Sequence, residues 1–446
     1  MGGHKNSGLP DHFWIRNVII WNNTGVNSSP QDVEILGGVI DKITPAQNSV
    51  SLGPLDIDGK GRVLMPSGVD PQVHLRVPGQ GHKERPETGL RAALRGGVGA
   101  LLTMPNTQPV IDSPEVLAEA RSQVIAAENA TGVRVLFSAA MTEGQRGEFA
   151  VSGPELAQAG VVALTDDGRG VAREDVMKAV FEQAALSGLP LLQHAEVPGH
   201  GGVVAPSTLQ KKLGLAAYPD SAEIDMVKRD LEILKNFPEV RYHVLHVSLS
   251  QTVEWVQKAR ALGLKASCEV SPHHLIFSSE DLVEGNTSFK MNPPLRAPKE
   301  RDELQNLLSS GAIDFVATDH APHEEKGKGE DFRSSYFGTT GLETSLRVLF
   351  TLMAQGKLSE ERLVEVFSTA PARFLGIDNE FGSVQPGRPL RALLVDPHAP
   401  ARPVVQGDLE SLSKNNVFLG FPLAGRIFLH FNSAGLFRLE QDPNPN

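Results

Sequence analysis

The chain has 446 residues, 40% of them hydrophobic and 21% charged, enough apolar material for one large core with a smaller one beside it. A net charge of −11 excludes a basic face built for phosphate backbones, so no nucleic-acid binding is expected and an anionic substrate requires a local cationic pocket. Cys268 is the only cysteine, which excludes an internal disulfide and a cysteine-built zinc site; with no apolar run of transmembrane length, a soluble cytoplasmic protein without membrane contact is expected.

Residues 1–63 are expected to start a small β-domain, on the strength of the short strand-like stretch VEILGGVIDKI from Val33. From Leu64 apolar β-rich runs alternate with amphipathic helical stretches. The runs are VLMPSGVDPQVHLRV, GALLTMPN, VRVLFSAAM, GVVALTDDG, LPLLQHAE, RYHVLHVS, KASCEVSPHH and IDFVATDHAP. Helical candidates lie between them. Val176, Val180, Phe181 and Ala184 share one face of the first; the second opens at Ser250 as N-cap and closes at Gly263 as C-cap. Eight β-runs with crossover helices predict a (β/α)8 TIM barrel over residues 64–377. Residues 378–446 return to β-like runs, VVQGDL, AGRIFLHF and GLFRLE, expected to complete the small β-domain before a disordered QDPNPN tail.

Strands buried in a barrel should be apolar, yet these end in polar groups: Asp70, Gln72, His74 and Arg76 on the first, Asn106 on the second, and Asp166 and Asp167 on the fourth. His194, His246 and Asp319 end the fifth, sixth and eighth, with His320 and His323 just beyond. Strand ends of this kind form the C-terminal rim, where barrel active sites are built. Any one of these is an ordinary polar strand end; together they make a chelating cluster suited to zinc. Gln72 and His74 share a strand face. His4, His12, His82, His200, His243, His398 and His430 lack such positions and are expected to be surface or structural histidines.

VDPQVHLRVPG, TMPNT, TDDG, QHAE, LHVS, CEVSPHH, NPPLR, ATDHAPH and FGTTGLET stand in the order found in class I bacterial dihydroorotases, and the sequence resembles that family from Val33 to Gly425-Arg426. The resemblance implies a binuclear zinc hydrolase that interconverts dihydroorotate and N-carbamoyl-aspartate. It implies His74 and Asp319 at the more buried metal, Asp167 bridging both metals, and His194 and His246 at the second. Asp319 would also be general base and acid, receiving the proton of the attacking hydroxide and giving it to the departing ring nitrogen. Arg76, Asn106 and His323 would hold the substrate carboxylate, and Asn292 would contact the ring amide.

The sequence departs from that family at Gln72, where a metal-binding histidine is usual, at Val77, at Arg85-Pro86 and at Pro389-Leu390-Arg391. A glutamine offers zinc only a neutral carbonyl oxygen. Two readings stay open: an active enzyme with a weakened buried metal position, and a non-catalytic homologue that scaffolds aspartate transcarbamoylase. A homo-oligomer is a further partner expectation. A third reading, allantoinase or hydantoinase, meets the absence of a lysine at the end of the fourth strand, where those relatives usually carry a carboxylated one.

Overall fold

The computed structural model describes residues 8–47 and 52–440; His4 and the QDPNPN tail lie outside the described residues. All eight predicted runs are barrel strands: β1 (Gly68–Val73), β2 (Val98–Thr103), β3 (Arg134–Ala139), β4 (Ala163–Leu164), β5 (Leu191–Gln193), β6 (Tyr242–Val244), β7 (Ala266–Val270) and β8 (Phe315–Val316). They are hydrogen-bonded in sequence order and parallel. The barrel closes where His74 N donates to His320 O at 2.9 Å, beside a parallel bridge between Val73 and His320.

A parallel strand needs a long crossover, and the helices supply it. Helix Glu174–Ser187 buries Val176, Val180, Phe181 and Ala184, the face expected from sequence, and ends on left-handed Gly188. Helix Ser250–Ala261 differs at its start. Leu249 is the N-cap, and Ser250 N donates to Glu300 Oε2 at 2.7 Å, so the neighbouring helix supplies the acceptor that a local serine cap would have given. Its C-cap is Leu262, with left-handed Gly263 just beyond.

The lower barrel interior is apolar, with Val69, Ala100, Leu102, Leu136, Ala163, Leu192 and Leu245 packed on Ala372, Leu375, Ile377 and Phe381 from the segment beneath. Alternation then sets what faces inward above this layer. Two and four residues beyond Ala163 come Thr165 and Asp167; beyond Leu192 come His194 and Glu196. The same segment reaches Gly68, where a Cβ would lie 2.3 Å from the Phe367 ring.

The second sheet has nine strands and joins both ends of the chain. In spatial order it runs Gly435–Arg438, Arg426–Asn432, Ala392–Asp396, Val63–Pro66, His12–Asn22, Gln31–Leu36 and Val39–Pro45, with Gly25–Val26 and Ile57–Asp58 also on His12–Asn22. Val63–Pro66 pairs antiparallel with Ala392–Asp396, so the passage into the barrel falls at Ser67, slightly beyond the expected Leu64. The hairpin around Val33 turns through Gly37 and Gly38, both at positive φ, the conformation that a tight two-residue turn demands. The expected strand in VVQGDL is absent: Gln406–Asp408 forms a 3-10 turn, closed by Val405 N donating to Asp408 Oδ2, and the local ladder is Arg402–Pro403 with Pro422–Leu423. No described helix is long and apolar enough to cross a membrane.

Candidate metal and substrate site

Two chelating groups meet at the C-terminal mouth and share one carboxylate: His74, Asp167 and Asp319 in one, Asp167, His194 and His246 in the other. All five residues are buried. His74 Nε2 lies 3.1 Å from Asp167 Oδ2 and 3.1 Å from Asp319 Oδ1. On the other side, His194 Nδ1 lies 2.9 Å from His246 Nε2 and 3.6 Å from Asp167 Oδ1, which is 3.7 Å from His246 Nε2. Donor atoms around a tetrahedral ion with ~2.0 Å bonds stand about 3.3 Å apart, so both groups have the spacing of a metal site.

The electrostatics agree. Burial alone would raise the Asp167 carboxyl, but the charge of His74 and hydrogen bonds from His194, His246 and His74 hold it well below the usual range. Burial alone would lower His194, yet Asp167 and Glu196 push it up to about 10. A pocket that draws protons onto His74 and His194 is one that welcomes a divalent cation in their place.

Gln72 touches this centre. Its Nε2 donates to Asp167 Oδ1 at 3.1 Å, while its Oε1 is buried without a hydrogen-bond partner. Gln72 and His74, two residues apart, thus reach the two oxygens of one carboxylate, as their shared strand face requires.

Arg76, His246 and Asp319 take positive φ values of 62°, 32° and 47°, a conformation that costs a non-glycine residue about 1–2 kcal/mol. Buried polar partners hold these turns. Glu223 accepts from Ser248 N, Ser248 Oγ and Thr252 Oγ1 behind His246, and Arg296 of the NPPLR loop donates to Ser248 Oγ at 2.9 Å. Asp70 accepts from Thr318 Oγ1 at 2.6 Å and Thr318 N at 3.1 Å, tying β1 to the turn that carries Asp319. Burial outweighs those bonds and pushes the Asp70 carboxyl up to about 7.

Beside the chelators, Arg76 and His323 form a cationic corner. Arg76 Nη2 lies 3.2 Å from His323 Nε2 and its Nε donates to Pro322 O. Burial and then the Arg76 charge hold His323 well below the usual histidine range, so it is neutral. Asn106, expected at the substrate carboxylate, spends its Oδ1 on His74 Nδ1 at 2.8 Å and its Nδ2 on Asp167 O at 3.3 Å. Asn292 Nδ2 donates to Glu196 Oε2 at 2.7 Å and lies 3.3 Å from His194 Nε2. His320 serves structure: its Nδ1 accepts from Gly341 N and its Nε2 faces Glu84.

Sequence reasoning passed over Glu196, Glu223 and Glu269. Glu196 stood in QHAE, two residues after a chelator, and was the one with a readable signal. Glu269 lies inside the barrel with Oε2 3.2 Å from His243 Nε2, and burial pushes its carboxyl far up. Of the histidines set aside, His243 and His430 are fully buried, and the chelating groups among the described residues contain none of that set.

A parallel eight-stranded barrel with paired chelating groups at its C-terminal mouth defines a metal-dependent hydrolase of the amidohydrolase class, and residues 63–427 match the Amidohydrolase family. The dihydroorotase of Carboxydothermus hydrogenoformans is 37% identical over 397 residues, covering 88% of this chain and 90% of the relative. That of Bacillus subtilis (strain 168) is 34% identical over 423 residues, covering 93% and 95%. Among solved structures, the L-hydantoinase (dihydropyrimidinase) of Arthrobacter aurescens superposes with a TM-score of 0.84 at 25% identity, covering 97% of each chain. The chain belongs to the dihydroorotase family within the amidohydrolases.

Proposed function

We propose that this chain is a cytoplasmic, zinc-dependent dihydroorotase that reversibly hydrolyses dihydroorotate to N-carbamoyl-aspartate. The observation that carries the reading is the pair of chelating groups sharing Asp167 beside the Arg76–His323 corner. The donor set, three imidazoles and two carboxylates, is suited to zinc. His74, Asp167 and Asp319 would hold one ion and Asp167, His194 and His246 the other. Bound there, zinc supplies Lewis acidity to the amide carbonyl and lowers the pKa of a water.

The chain's own residues do the rest. Arg76 presents its guanidinium to the carboxylate of the small anionic substrate, and neutral His323 adds a hydrogen bond without competing for the anion. The 3.3 Å contact of Asn106 Nδ2 is its weaker one, which leaves that nitrogen as a further donor to the carboxylate. Asp319 accepts a proton from the attacking water and returns it to the ring nitrogen as the carbon–nitrogen bond breaks. Asn292 meets the ring amide with Oδ1, which is buried and unpartnered. A hydantoin ring without a carboxylate would leave Arg76 and His323 without an anion to bind.

Dihydroorotate turnover by the purified, zinc-supplemented protein tests this. Hydrolysis that follows zinc content supports it. No turnover in either direction with any divalent metal refutes it, and a stoichiometric complex with aspartate transcarbamoylase without turnover would establish the scaffold reading.

A further inference from the structure

We infer that Glu196 is a positioning residue that couples the metal centre to the substrate loop by holding His194 and Asn292 through one carboxylate oxygen. The inference rests on the reading that His194 binds a metal and Asn292 meets the substrate amide. Glu196 Oε2 lies 3.2 Å from His194 Nε2 and accepts from Asn292 Nδ2 at 2.7 Å. Glu196 N donates to His194 O at 3.0 Å, a tight turn just after β5 that folds the carboxylate back onto the ring two residues earlier.

Each contact has a chemical consequence. A carboxylate on Nε2 keeps the imidazole proton there, so the Nδ1 lone pair faces His246 and Asp167 and gains basicity. On the other side, an amide whose NH2 is held by Glu196 must turn its carbonyl away. Asn292 Oδ1 is buried and has no hydrogen-bond partner, so it is an acceptor awaiting a donor. A substrate N–H satisfies it, whereas an analogue with oxygen or a methylated nitrogen at that position leaves it unmet. The loop that carries Asn292 is anchored separately, by Arg296 on Ser248 Oγ and by His274 Nε2 donating to Pro293 O at 3.1 Å. Glu196 therefore sets the Asn292 side chain rather than the loop backbone. Through Glu196, zinc at His194 and substrate at Asn292 favour one another, and such coupling is reciprocal.

The test uses the full chain with Glu196→Gln, close in shape but uncharged, and Asn292→Ala. Zinc affinity is read by chelator competition, without turnover, and KM and kcat are read separately. Loss of a carboxylate partner of a ligating histidine typically weakens metal about 10–100-fold. Glu196→Gln is expected to lose zinc affinity in that range and to raise KM. Asn292→Ala is expected to raise KM while zinc affinity stays near wild type. Wild-type zinc affinity in Glu196→Gln overturns the inference, and so does an equal zinc loss in Asn292→Ala. Should Glu196→Gln fail to fold, Glu196→Asp is read the same way. A wild-type protein that binds no zinc overturns the proposed function instead, which keeps the two failures apart.

Discussion

Gln72→His should convert a weak metal position into a strong one. In the wild type the Gln72 amide is neutral, bonded through Nε2 to Asp167 Oδ1, and it leaves Oε1 buried and unpartnered. The substitution removes that unmet acceptor, whose burial costs about 1–3 kcal/mol, and gives up a hydrogen bond to a carboxylate worth about 1.5–3 kcal/mol. These roughly cancel, so protein stability should change by no more than about 1–2 kcal/mol. The metal balance does not cancel. Structural zinc sites with four ligands bind with about 10–16 kcal/mol, roughly 3 kcal/mol per ligand, and an imidazole is a far better zinc donor than an amide oxygen. A gain of about 3 kcal/mol is ~100-fold tighter zinc at the buried His74–Asp319 position. Elemental analysis of both proteins after identical zinc loading and dialysis, followed by chelator competition, measures this. The expected result is a higher zinc-to-protein ratio and slower zinc loss in the histidine variant, with turnover rising where occupancy limits the wild type. An unchanged ratio together with unchanged turnover would refute the reasoning and favour the scaffold reading.

Asp319→Ala should lower dihydroorotate turnover on the order of a hundredfold or more with the fold intact by circular dichroism, because the proton shuttle is gone; turnover within a few-fold of wild type would remove Asp319 from that role. Arg76→Lys should raise KM about 10–100-fold, the worth of a forked charged hydrogen bond of roughly 1.5–3 kcal/mol, and unchanged KM with a lowered Tm would make Arg76 a structural cation. Burial pushes the Cys268 thiol far up, so a thiol reagent should leave the native protein unlabelled and label one site per chain after unfolding. His430, buried between Ser67 Oγ and Leu94 O, is held down to about 4 by burial. Its unfolded form therefore binds more protons between about pH 6.5 and pH 4, so stability falls as pH drops through that window, by about 2 kcal/mol at pH 5. Denaturant titrations at pH 7.5 and 5 should show His430→Gln losing that share of the pH dependence, and an identical pH dependence in the two proteins would refute it.

Strand periodicity and the position of chelators at run ends were properties of the sequence itself. All eight barrel strands follow from apolar runs, the inward face of helix Glu174–Ser187 from the 3.6-residue period and the pairing of Gln72 with His74 from the two-residue strand period, all local patterns that need no knowledge of what lies across the barrel. Strand His12–Asn22 escaped because its register shifts between Ile15 and Val18, breaking the alternation that marks a strand. Tertiary structure alone decided the direction of His246. With Leu245 in the barrel interior, alternation aims residue 246 outward, and only the turn at φ 32°, held by Glu223 on Ser248 and Thr252, swings its imidazole onto Asp167. The same holds for Asp70, Glu196 and Glu223. Asp70 and Glu223 are buried and Glu196 is half-buried, each against donors near in space, many of them far along the chain, and pairing of that kind leaves no period in a sequence.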